Sequence, residues 1–559
     1  MRTDVCEASA RIRTPGEEST DQPDVVVIGG GPAGSSAATL LARKGWSVAL
    51  LERERFPRAH IGKSLLPASM PILDMLGVLP AVTAEGFLPK WGATMVWGSG
   101  TAPWSWYFRE TNRKHPHAFQ VWRPRFDQIL LDNARTHGVD VREGHRATAV
   151  EFDGERAVGV RFAGADGREG NLAPRFIVDA SGQAGIIGRA LRLRRQDESF
   201  RNLAVYGYFA NARRLPPPDE TNILIESYPN GWLWVIPLHT GVASVGAVVD
   251  SAAGQAGIAA RGPDAYLREQ IAAAPHTSAL LAEATLTDGP HVLRDWSYAS
   301  TAMAGDGWVI AGDAACFIDP LFSSGVHLAL SAGVLASAYV TTALKQPALR
   351  EAAAAAYFDS YSRQYAHFRE LARLFYATNK SMESYFWEAR AVLGDGGDST
   401  PREAFIRAVA GQPPQGYERV VIDRGGAPPE YIESVRAIEA GRELRQRRFE
   451  GALATGILAG AVPTLTAGAT FERRAVIGDG EFELSDVLVS PQRPEGIPLS
   501  PLLARFAASI DGHRTVEALL RDLVAGFEPG HAETAARAAV TALSLLYVDG
   551  AVRITLPER

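Results

Sequence analysis

The sequence has little cysteine and no surplus of positive charge. Its 559 residues include two cysteines, Cys6 and Cys316, which cannot form the disulfide framework of a small secreted protein. The formal net charge is −6 and the isoelectric point is about 6.1, so the chain lacks the basic surface that nucleic-acid binding requires. We therefore expect a protein of the reducing cytoplasm that does not bind nucleic acid.

The sequence also lacks a segment that is typical of a signal peptide. Residues Met1–Pro23 carry mixed charges without an apolar core, so they do not resemble a signal peptide. The uncharged stretch Gly451–Thr470 is rich in Gly, Ala and Thr and is too weakly apolar to cross a membrane. With 46% apolar and 21% charged residues, the composition predicts a globular protein of roughly two to four domains without a membrane anchor.

The stretch Asp24–Glu52 has the order of a dinucleotide-binding β-α-β unit. Four apolar residues end at Gly29, and a helix rich in Ala and Leu follows Gly34. Gly29 allows a tight turn, Gly31 lets a pyrophosphate approach the backbone, and Gly34 lets helix and strand pack closely. Glu52, at the end of the second strand, is placed to accept a hydrogen bond from a ribose hydroxyl. A glycine-rich turn without a nucleotide is the alternative.

Further along the chain, the pattern predicts an α/β fold. Phe176–Gly182 and Trp308–Gly312 have the composition of buried strands that end in turns, and a long helix is expected over Val326–Leu344. Alternation of apolar residues over Phe209–Asp250 predicts antiparallel strands. The chain therefore combines a nucleotide-binding unit with a second, antiparallel sheet.

Several motifs carry a family resemblance. GGGPAGSSAA, VDASG and GDAACFIDP resemble the nucleotide-contact motifs of flavin monooxygenases with the p-hydroxybenzoate hydroxylase fold. GWLWVIP resembles the W-x-W-x-I-P signature of the flavin-dependent halogenases within that family. KWGATMVWG, DWSY and GDAACFIDPLFSSGVHLA are similar to the chloramphenicol-type branch, which halogenates carrier-protein-bound substrates. The resemblance covers Asp24–Trp387.

The resemblance implies an FADH2-dependent chlorinating enzyme of natural-product, including antibiotic, biosynthesis. FAD, chloride and O2 would be its cofactors, without a metal, and a separate flavin reductase would supply FADH2. An acyl or peptidyl carrier protein would hold the substrate, which would be a phenol or pyrrole type of ring or an activated acyl group. An FAD-dependent aromatic hydroxylase and an inactive flavin-binding partner protein are the alternatives.

The resemblance also assigns flavin contacts outside the glycine loop. Arg123 would provide a cation for the phosphates, and Asp313 a carboxylate near the ribityl chain or the phosphates. Asp295 matches a position that carries a covalent flavin link. The alternatives are a surface ion pair for Arg123 and an ordinary hydrogen bond for Asp295.

Two residues would lie where halogenation occurs. Lys90 would receive hypochlorous acid, either by donating a hydrogen bond to it or by forming a chloramine, and a lowered pKa would favour the second route. A solvated loop lysine is the alternative. Tyr376 matches a tyrosine that lines the halogenation site, although the aromatic stripe around it is also typical of a helical core.

The remaining assignments concern chloride and a tunnel. Ser324 and Gly325 would supply backbone donors to chloride at the start of the long helix, whereas the alternative is that Ser323 and Ser324 only cap that helix. Three bulky side chains on one strand face would line the tunnel between flavin and substrate: Trp232, Trp234 and Ile236. The alternative is that they only pack in the core.

Two positions depart from the family pattern. Lys63 stands where the family usually has Glu, so that GKSLLP replaces GESLLP. Restoring Glu at this position is expected to be neutral or activating. Phe322 stands where the free-tryptophan branch has an acid before the chloride loop, which argues against free tryptophan as the substrate.

We expect four parts: a disordered arm (1–23), an FAD-dependent halogenase domain (24–350), a helical substrate-side region with a linker (351–465), and a winged-helix-like C-terminal domain (466–559). The halogenase domain would be a Rossmann-like three-layer α/β domain with an antiparallel substrate-side sheet. In the last domain, Asp549-Gly550 is expected at the turn of a hairpin. This domain would cover the substrate entrance or dock a protein.

Overall fold

The computed structural model describes residues 22–97, 102–377, 401–411, 444–491 and 493–556. The predicted disordered arm, except for its last two residues, lies outside these ranges. So do much of the predicted linker and the part of the aromatic stripe beyond residue 377.

A six-stranded sheet surrounds the predicted β-α-β unit. In spatial order its strands are β17 (Ala304–Gly305), β18 (Trp308–Ile310), β11 (Phe176–Asp179), β1 (Val25–Ile28), β2 (Val48–Glu52) and β7 (Asp140–Glu143). Neighbours are parallel except at the β17–β18 edge. Strands covered on both faces are apolar throughout, and all four residues of β1 are buried.

Helices pack on this sheet. α1 (Pro32–Arg43) follows the glycine loop and contacts both α4 (Arg123–Thr136) and α9 (Gly325–Lys345). Among the described residues, α9 alone is long and apolar enough to cross a membrane, but 83% of its most apolar window is buried inside the protein. Its hydropathy is therefore that of a core helix.

An eight-stranded sheet forms the second half of the main domain. Its order is β19 (Cys316–Phe317), β16 (Thr285–Ser300), β12 (Arg194–Ala210), β15 (Val242–Asp250), β14 (Gly231–Pro237), β13 (Ile223–Tyr228), β4 (Gly92–Val96) and β5 (Trp104–Tyr107). Only β13 and β4 run parallel. The predicted α/β fold with an antiparallel sheet is confirmed.

Smaller elements complete this domain. The remaining strands are β3 (Leu88–Lys90), β6 (Ala118–Gln120), β8 (Arg146–Asp153), β9 (Arg156–Ala163) and β10 (Glu169–Leu172). The remaining helices are α2 (Met70–Met75), α3 (Leu79–Ala84), α5 (Ile186–Ala190), α6 (Ser251–Arg261), α7 (Pro263–Ala272), α8 (Pro275–Leu280), α10 (Arg350–Ala377) and α11 (Pro401–Val409).

The C-terminal module has its own apolar core. It contains β20 (Pro463–Leu465), β21 (Thr470–Ile477), β22 (Phe482–Ser490), β23 (Arg493–Leu499), α12 (Pro501–Ala508), α13 (Val516–Val524), α14 (Pro529–Val548) and β24 (Val552–Ile554). The expected hairpin at Asp549-Gly550 is wrong, because β24 pairs with β20 instead. Phe449 and Leu458 belong to the same core, so the module begins before the predicted boundary at 466.

The module joins the main domain through the β21–β22 hairpin. Phe482 is buried in the main core and its N–H donates to Thr342 Oγ1 at 2.7 Å. Lys345 pairs with Glu481 at 2.5 Å. Both main-domain partners lie at the C-terminal end of α9, whose 21 residues span about 30 Å. These contacts are therefore far from the predicted chloride loop at the other end of α9.

Candidate functional site

The glycine loop forms a cradle at the N-terminus of α1. A Cβ on Gly34 would overlap the carbonyl oxygen of Gly29, and one on Gly29, whose φ is +102°, would overlap the carbonyl of Ala180. A Cβ on Gly31 would instead approach only Arg58 Nη2, at 3.4 Å. Packing therefore requires Gly29 and Gly34, whereas Gly31 leaves open space over the helix N-terminus, where a pyrophosphate would fit.

The carboxylate of Glu52 is buried against this loop. Its Oε2 accepts from the Gly30 N–H at 2.7 Å and its Oε1 from the Glu54 N–H at 2.9 Å. Each carboxylate oxygen can accept a second hydrogen bond. Glu52 thus holds the loop and keeps acceptor capacity for a ribose hydroxyl, its predicted role.

Arg123 is buried at the start of α4 and is largely occupied by protein. Its Nε and Nη2 donate to Asp127 at 2.7 and 2.9 Å, and its Nη1 donates to the carbonyls of Ile61 and, at 3.1 Å, Gly62. Burial alone would raise the pKa of Asp127, but the Arg123 and Arg58 guanidiniums hold it below its usual value. Arg123 and Asp127 therefore form an ion pair, which is buried and not exposed. That Arg123 binds the flavin phosphates stays a prediction.

Two other arginines could contact the cofactor. Arg58 Nη2 lies 3.4 Å from a Cβ placed on Gly31, whereas its Nη1 forms an ion pair with Asp127 Oδ2 at 3.4 Å. Arg194 stacks on the Tyr298 ring at 4.2 Å, and its Nε and Nη2 are buried without hydrogen-bond partners among the described residues. The orphaned donors of Arg194 fit the phosphates of a dinucleotide. Neither arginine was predicted, because an isolated Arg in a loop or an Arg-rich run gives no local signal.

The two predicted aspartates lie on separate elements. Asp313 is half-buried after β18, and burial raises the pKa of its carboxyl to about 6 although Arg123 and Arg194 oppose the shift. Asp295 lies in β16, where its backbone pairs with Asn202 of β12. The flavin contacts of both residues stay predictions. Taken together, the open cradle and the orphaned arginine donors fit FAD.

Lys90 is a buried amine. It ends β3, pairs with Ala118 of β6 and is 2% exposed. Its Nζ donates to the Leu65 carbonyl at 3.1 Å and lies 5.5 Å from the centre of the Phe108 ring. Burial lowers its pKa to about 7. The solvated-lysine alternative is therefore wrong, and a large neutral fraction is available near neutral pH.

Unsatisfied polar atoms share the small sheet with Lys90. Gln120 Oε1 and Ser64 Oγ are buried without hydrogen-bond partners among the described residues. Ser64 pairs with Gln120, which lies two positions beyond the Ala118 that faces Lys90. Because alternate residues share a face, these side chains and Lys90 lie on one side of the sheet. Buried orphans of this kind mark a site for water or a ligand.

The predicted chloride loop leads directly into α9. Ser323 adopts a φ of +58°, and Ser324 precedes the helix without a hydrogen bond from its side chain to the helix backbone. A Cβ on Gly325 would meet nothing within 4 Å. Ser324 is thus not a side-chain cap, and the open space before the helix N-terminus is compatible with an anion.

The predicted tunnel wall is an aromatic band on the inner face of the eight-stranded sheet. Trp232, Trp234 and Ile236 are buried on that face, with the two indole centroids 6.0 Å apart. Trp97 lies 6.4 Å from Trp232. Tyr376, in the last turn of α10, accepts a hydrogen bond from Trp232 Nε1 at 2.5 Å. The structure therefore brings Tyr376 to the wall, and it also shows the core packing that was the alternative.

The segment 61–65 contacts both Arg123 and Lys90. At one end the carbonyls of Ile61 and Gly62 accept from Arg123, and at the other the carbonyl of Leu65 accepts from Lys90. One short stretch of backbone therefore lies between these two predicted site residues.

A family model described as "Tryptophan halogenase" matches residues 24–116 and 106–403. The chain belongs to the flavin-dependent tryptophan halogenase family. It is an enzyme, a flavin-dependent halogenase that uses FADH2, chloride and O2. Halogenases of this family generally need a separate flavin reductase.

Named relatives are also halogenases. A protein of Chondromyces crocatus called tryptophan 2-halogenase is 38% identical over 369 residues, 66% of this chain and 70% of that protein. Flavin-dependent halogenase armH4 of Armillaria mellea is 35% identical over 349 residues, 58% of this chain and 66% of that protein.

Two solved structures extend the similarity. The myxobacterial chondrochloren halogenase CndH is 38% identical with a TM-score of 0.61, covering 75% of this chain and 96% of that one. The flavin-dependent halogenase CmlS is 26% identical with a TM-score of 0.68, covering 96% of this chain and 97% of that one. The similarity to CmlS thus reaches through the C-terminal module.

Lys63 gives this halogenase a second buried amine. It is 1% exposed, donates to the His60 carbonyl at 3.2 Å, and its Nζ lies 5.5 and 4.9 Å from the ring centres of Tyr206 and Tyr208. Burial and then Arg123 lower its pKa to about 7, against the opposing effect of Asp288 and Asp127. Aromatic faces and a carbonyl form a site for a cation, not for a carboxylate.

We therefore expect Lys63→Glu to lower stability, whereas its effect on activity, expected from the sequence to be neutral or activating, stays a prediction. The change would bury an anion against two aromatic faces and a carbonyl, and we expect it to lower the free energy of unfolding by about 2–4 kcal/mol. Lys63→Met, which keeps length without charge, should cost less than about 1.5 kcal/mol. Urea unfolding of both variants measures the difference. A Lys63→Glu protein as stable as the wild type would contradict this prediction.

Proposed function

We propose that this halogenase chlorinates an electron-rich ring of phenol or pyrrole type, or an activated acyl group, held on an acyl or peptidyl carrier protein. Its setting would be natural-product biosynthesis in the cytoplasm, with a flavin reductase as partner. Lys90 would deliver the chlorine. The observation that carries the proposal is the position of the Lys90 amine. It is buried beside unsatisfied polar atoms and donates to Leu65, at the end of the segment whose other end accepts from Arg123.

The cofactor would be held by the cradle. Gly29, Gly31 and Gly34 shape it, Glu52 would accept from a ribose hydroxyl, and Arg58 and Arg194 would donate to phosphates. When bound, reduced FAD with O2 supplies the oxidising power that turns chloride into hypochlorous acid. Backbone N–H groups at Ser324 and Gly325 would hold the chloride. Asp313 and a covalent link at Asp295 are further proposed flavin contacts.

Lys90 then has two ways to use hypochlorous acid. Its protonated amine can donate a hydrogen bond to the acid, and its neutral amine can form an N–Cl bond with release of water. In either case chlorine passes to a carbon of the substrate, the C–H proton is lost, and the amine is regenerated. Because burial brings the pKa of Lys90 to about 7, both forms are present near neutral pH.

The substrate class rests on the surroundings of Tyr376. Phe375 packs edge-on against Phe322 with their ring centroids 5.1 Å apart, and the ring centroids of Trp97 and Tyr376 are 6.3 Å apart. Aromatic faces favour a flat ring over the charged groups of a free amino acid. One relative is nevertheless named tryptophan 2-halogenase, so free tryptophan belongs among the substrates tested.

Incubation with reduced FAD, O2 and chloride tests the activity. We expect mass spectrometry to show replacement of one hydrogen by chlorine in a carrier-tethered aryl group, and no such product without chloride. An oxygen atom inserted in place of chlorine would identify an aromatic hydroxylase. Flavin binding without any product would identify an inactive partner protein.

A further inference from the structure

Four polar groups form a hydrogen-bonded network where the aromatic band meets Tyr376. Trp232 Nε1 donates to Tyr376 Oη at 2.5 Å, and Tyr376 Oη donates to Asp319 Oδ2 at 2.8 Å. Asn202 Nδ2 donates to both Asp319 Oδ2, at 2.9 Å, and Tyr376 Oη, at 3.2 Å. The phenol therefore has one defined orientation, because its hydrogen and its lone pairs are all directed to partners.

Asp319 ties this network to the chloride loop. Its Oδ1 accepts from the Leu321 N–H at 3.0 Å, and its own N–H donates to Ser297 Oγ at 3.1 Å. The residue is 2% exposed and lies five positions before Ser324. Burial raises the pKa of its carboxyl to about 6, while the hydrogen bonds from Tyr376 and Asn202 oppose that shift. One carboxylate thus joins the loop before α9 to the end of α10.

The same turn of α10 is held from a second side. Trp97 Nε1 donates to the carbonyl of Phe375 at 3.2 Å, and the Phe375 ring contacts both Trp97 and Phe322. The parts of the chain that meet at this turn are therefore Trp97 just after β4, strands β12 and β14, helix α10 and the loop before α9. If Tyr376 moved away, the Trp232 N–H would lose its hydrogen-bond acceptor. A buried N–H without an acceptor costs about 1–3 kcal/mol, so the indole would also move.

We propose that Asp319 and Asn202 are positioning residues that lock Tyr376 against Trp232 and so fix the substrate end of the tunnel. The inference rests on the proposed tunnel and names two residues outside its predicted wall. A fixed wall directs the oxidant to the bound substrate. Without the hydrogen bonds that Asp319 and Asn202 make to Tyr376, hypochlorous acid would leave before it reacts. Oxygen would then be consumed without an equivalent amount of product.

The measurement is chlorinated product formed per O2 consumed, with FAD affinity measured in parallel. Tyr376→Phe, Asp319→Asn and Asn202→Ala should each lower this ratio several-fold, up to about tenfold, the scale of one or two hydrogen bonds. FAD affinity should be unchanged. Because Asn202 acts through the phenol, the double variant Asn202→Ala/Tyr376→Phe should be no worse than Tyr376→Phe alone.

Tyr228→Phe is the matched control. It removes a phenol that bonds Gln270 at 3.0 Å, outside the network, and should leave the ratio unchanged. Wild-type ratios in folded Asp319→Asn and Tyr376→Phe proteins would overturn the proposal, as would a fall in ratio matched by an equal loss of FAD affinity. If the variant at the buried Asp319 does not fold, Tyr376→Phe and the half-buried Asn202→Ala decide the question. A wild-type enzyme that makes no chlorinated product would count against the proposed function instead.

Discussion

Replacement of Lys90 by Ala should lower chlorination at least about a hundredfold, the scale on which a group that handles a proton or a reacting atom contributes. The amine lies at the end of β3 with one hydrogen bond to the Leu65 carbonyl, so its loss removes a reactive group without disturbing the glycine cradle. FAD binding and oxygen consumption should persist. Product is quantified by mass spectrometry, and FAD affinity by titration.

Lys114→Ala is the control for this experiment. Lys114 is an exposed lysine, and its removal should leave product formation unchanged. A folded Lys90→Ala enzyme that keeps substantial chlorination would exclude Lys90 as the chlorine-delivering residue.

The pH dependence of chlorination gives a second check. Only the neutral amine forms a chloramine, so the chloramine route should become faster as pH rises through about 7, the pKa of Lys90.

The sequence predicts the cofactor half of the site well because its signals are local. Strand, glycine loop, helix and Glu52 follow one another within Asp24–Glu52, and Gly34 is required by its contact with the Gly29 carbonyl. Helix α9 is likewise visible as one continuous apolar run. Such features depend on spacing along the chain, which the sequence displays directly.

Other parts of the site depend on contacts between distant residues. Arg123 looks like a free cation in the sequence, but folding places Asp127 and two carbonyls around it. Arg194 keeps the orphaned donors instead. The pairing of β24 with β20 joins two three-residue strands almost ninety positions apart, for which no periodic signal exists. Lys63 shows the same limit, since its cation site is built by tyrosines of β12.

An aryl or acyl group loaded on its cognate carrier protein should be chlorinated at least about tenfold more efficiently than the free acid, measured as kcat/KM. A carrier adds a docking contact and keeps the substrate at high local concentration near the tunnel. The pantetheine thioester without the protein separates the contribution of the arm from that of docking. We expect its efficiency to lie between those of the free acid and the loaded carrier.

The surroundings of Tyr376 support a lower efficiency for a free amino acid than for a thioester. Asp319 and Asn202 are polar groups of the described residues that could meet an ammonium or a carboxylate there, and both are already bonded within the network. A free amino acid would have to break those bonds or lose its own hydration, either of which costs several kcal/mol, about 2–7 for one unpaired polar group. A thioester brings no such charges.

Free tryptophan is the main alternative to a carrier-bound substrate, because one relative is named for it. If free tryptophan, or the free acid, were turned over as fast as the loaded carrier, the tethered-substrate proposal would fail. The C-terminal module would then need another role. A lid over a small-molecule pocket would have to come from parts of the module other than the β21–β22 hairpin, since Glu481 and Phe482 bind the end of α9 about 30 Å from the chloride loop.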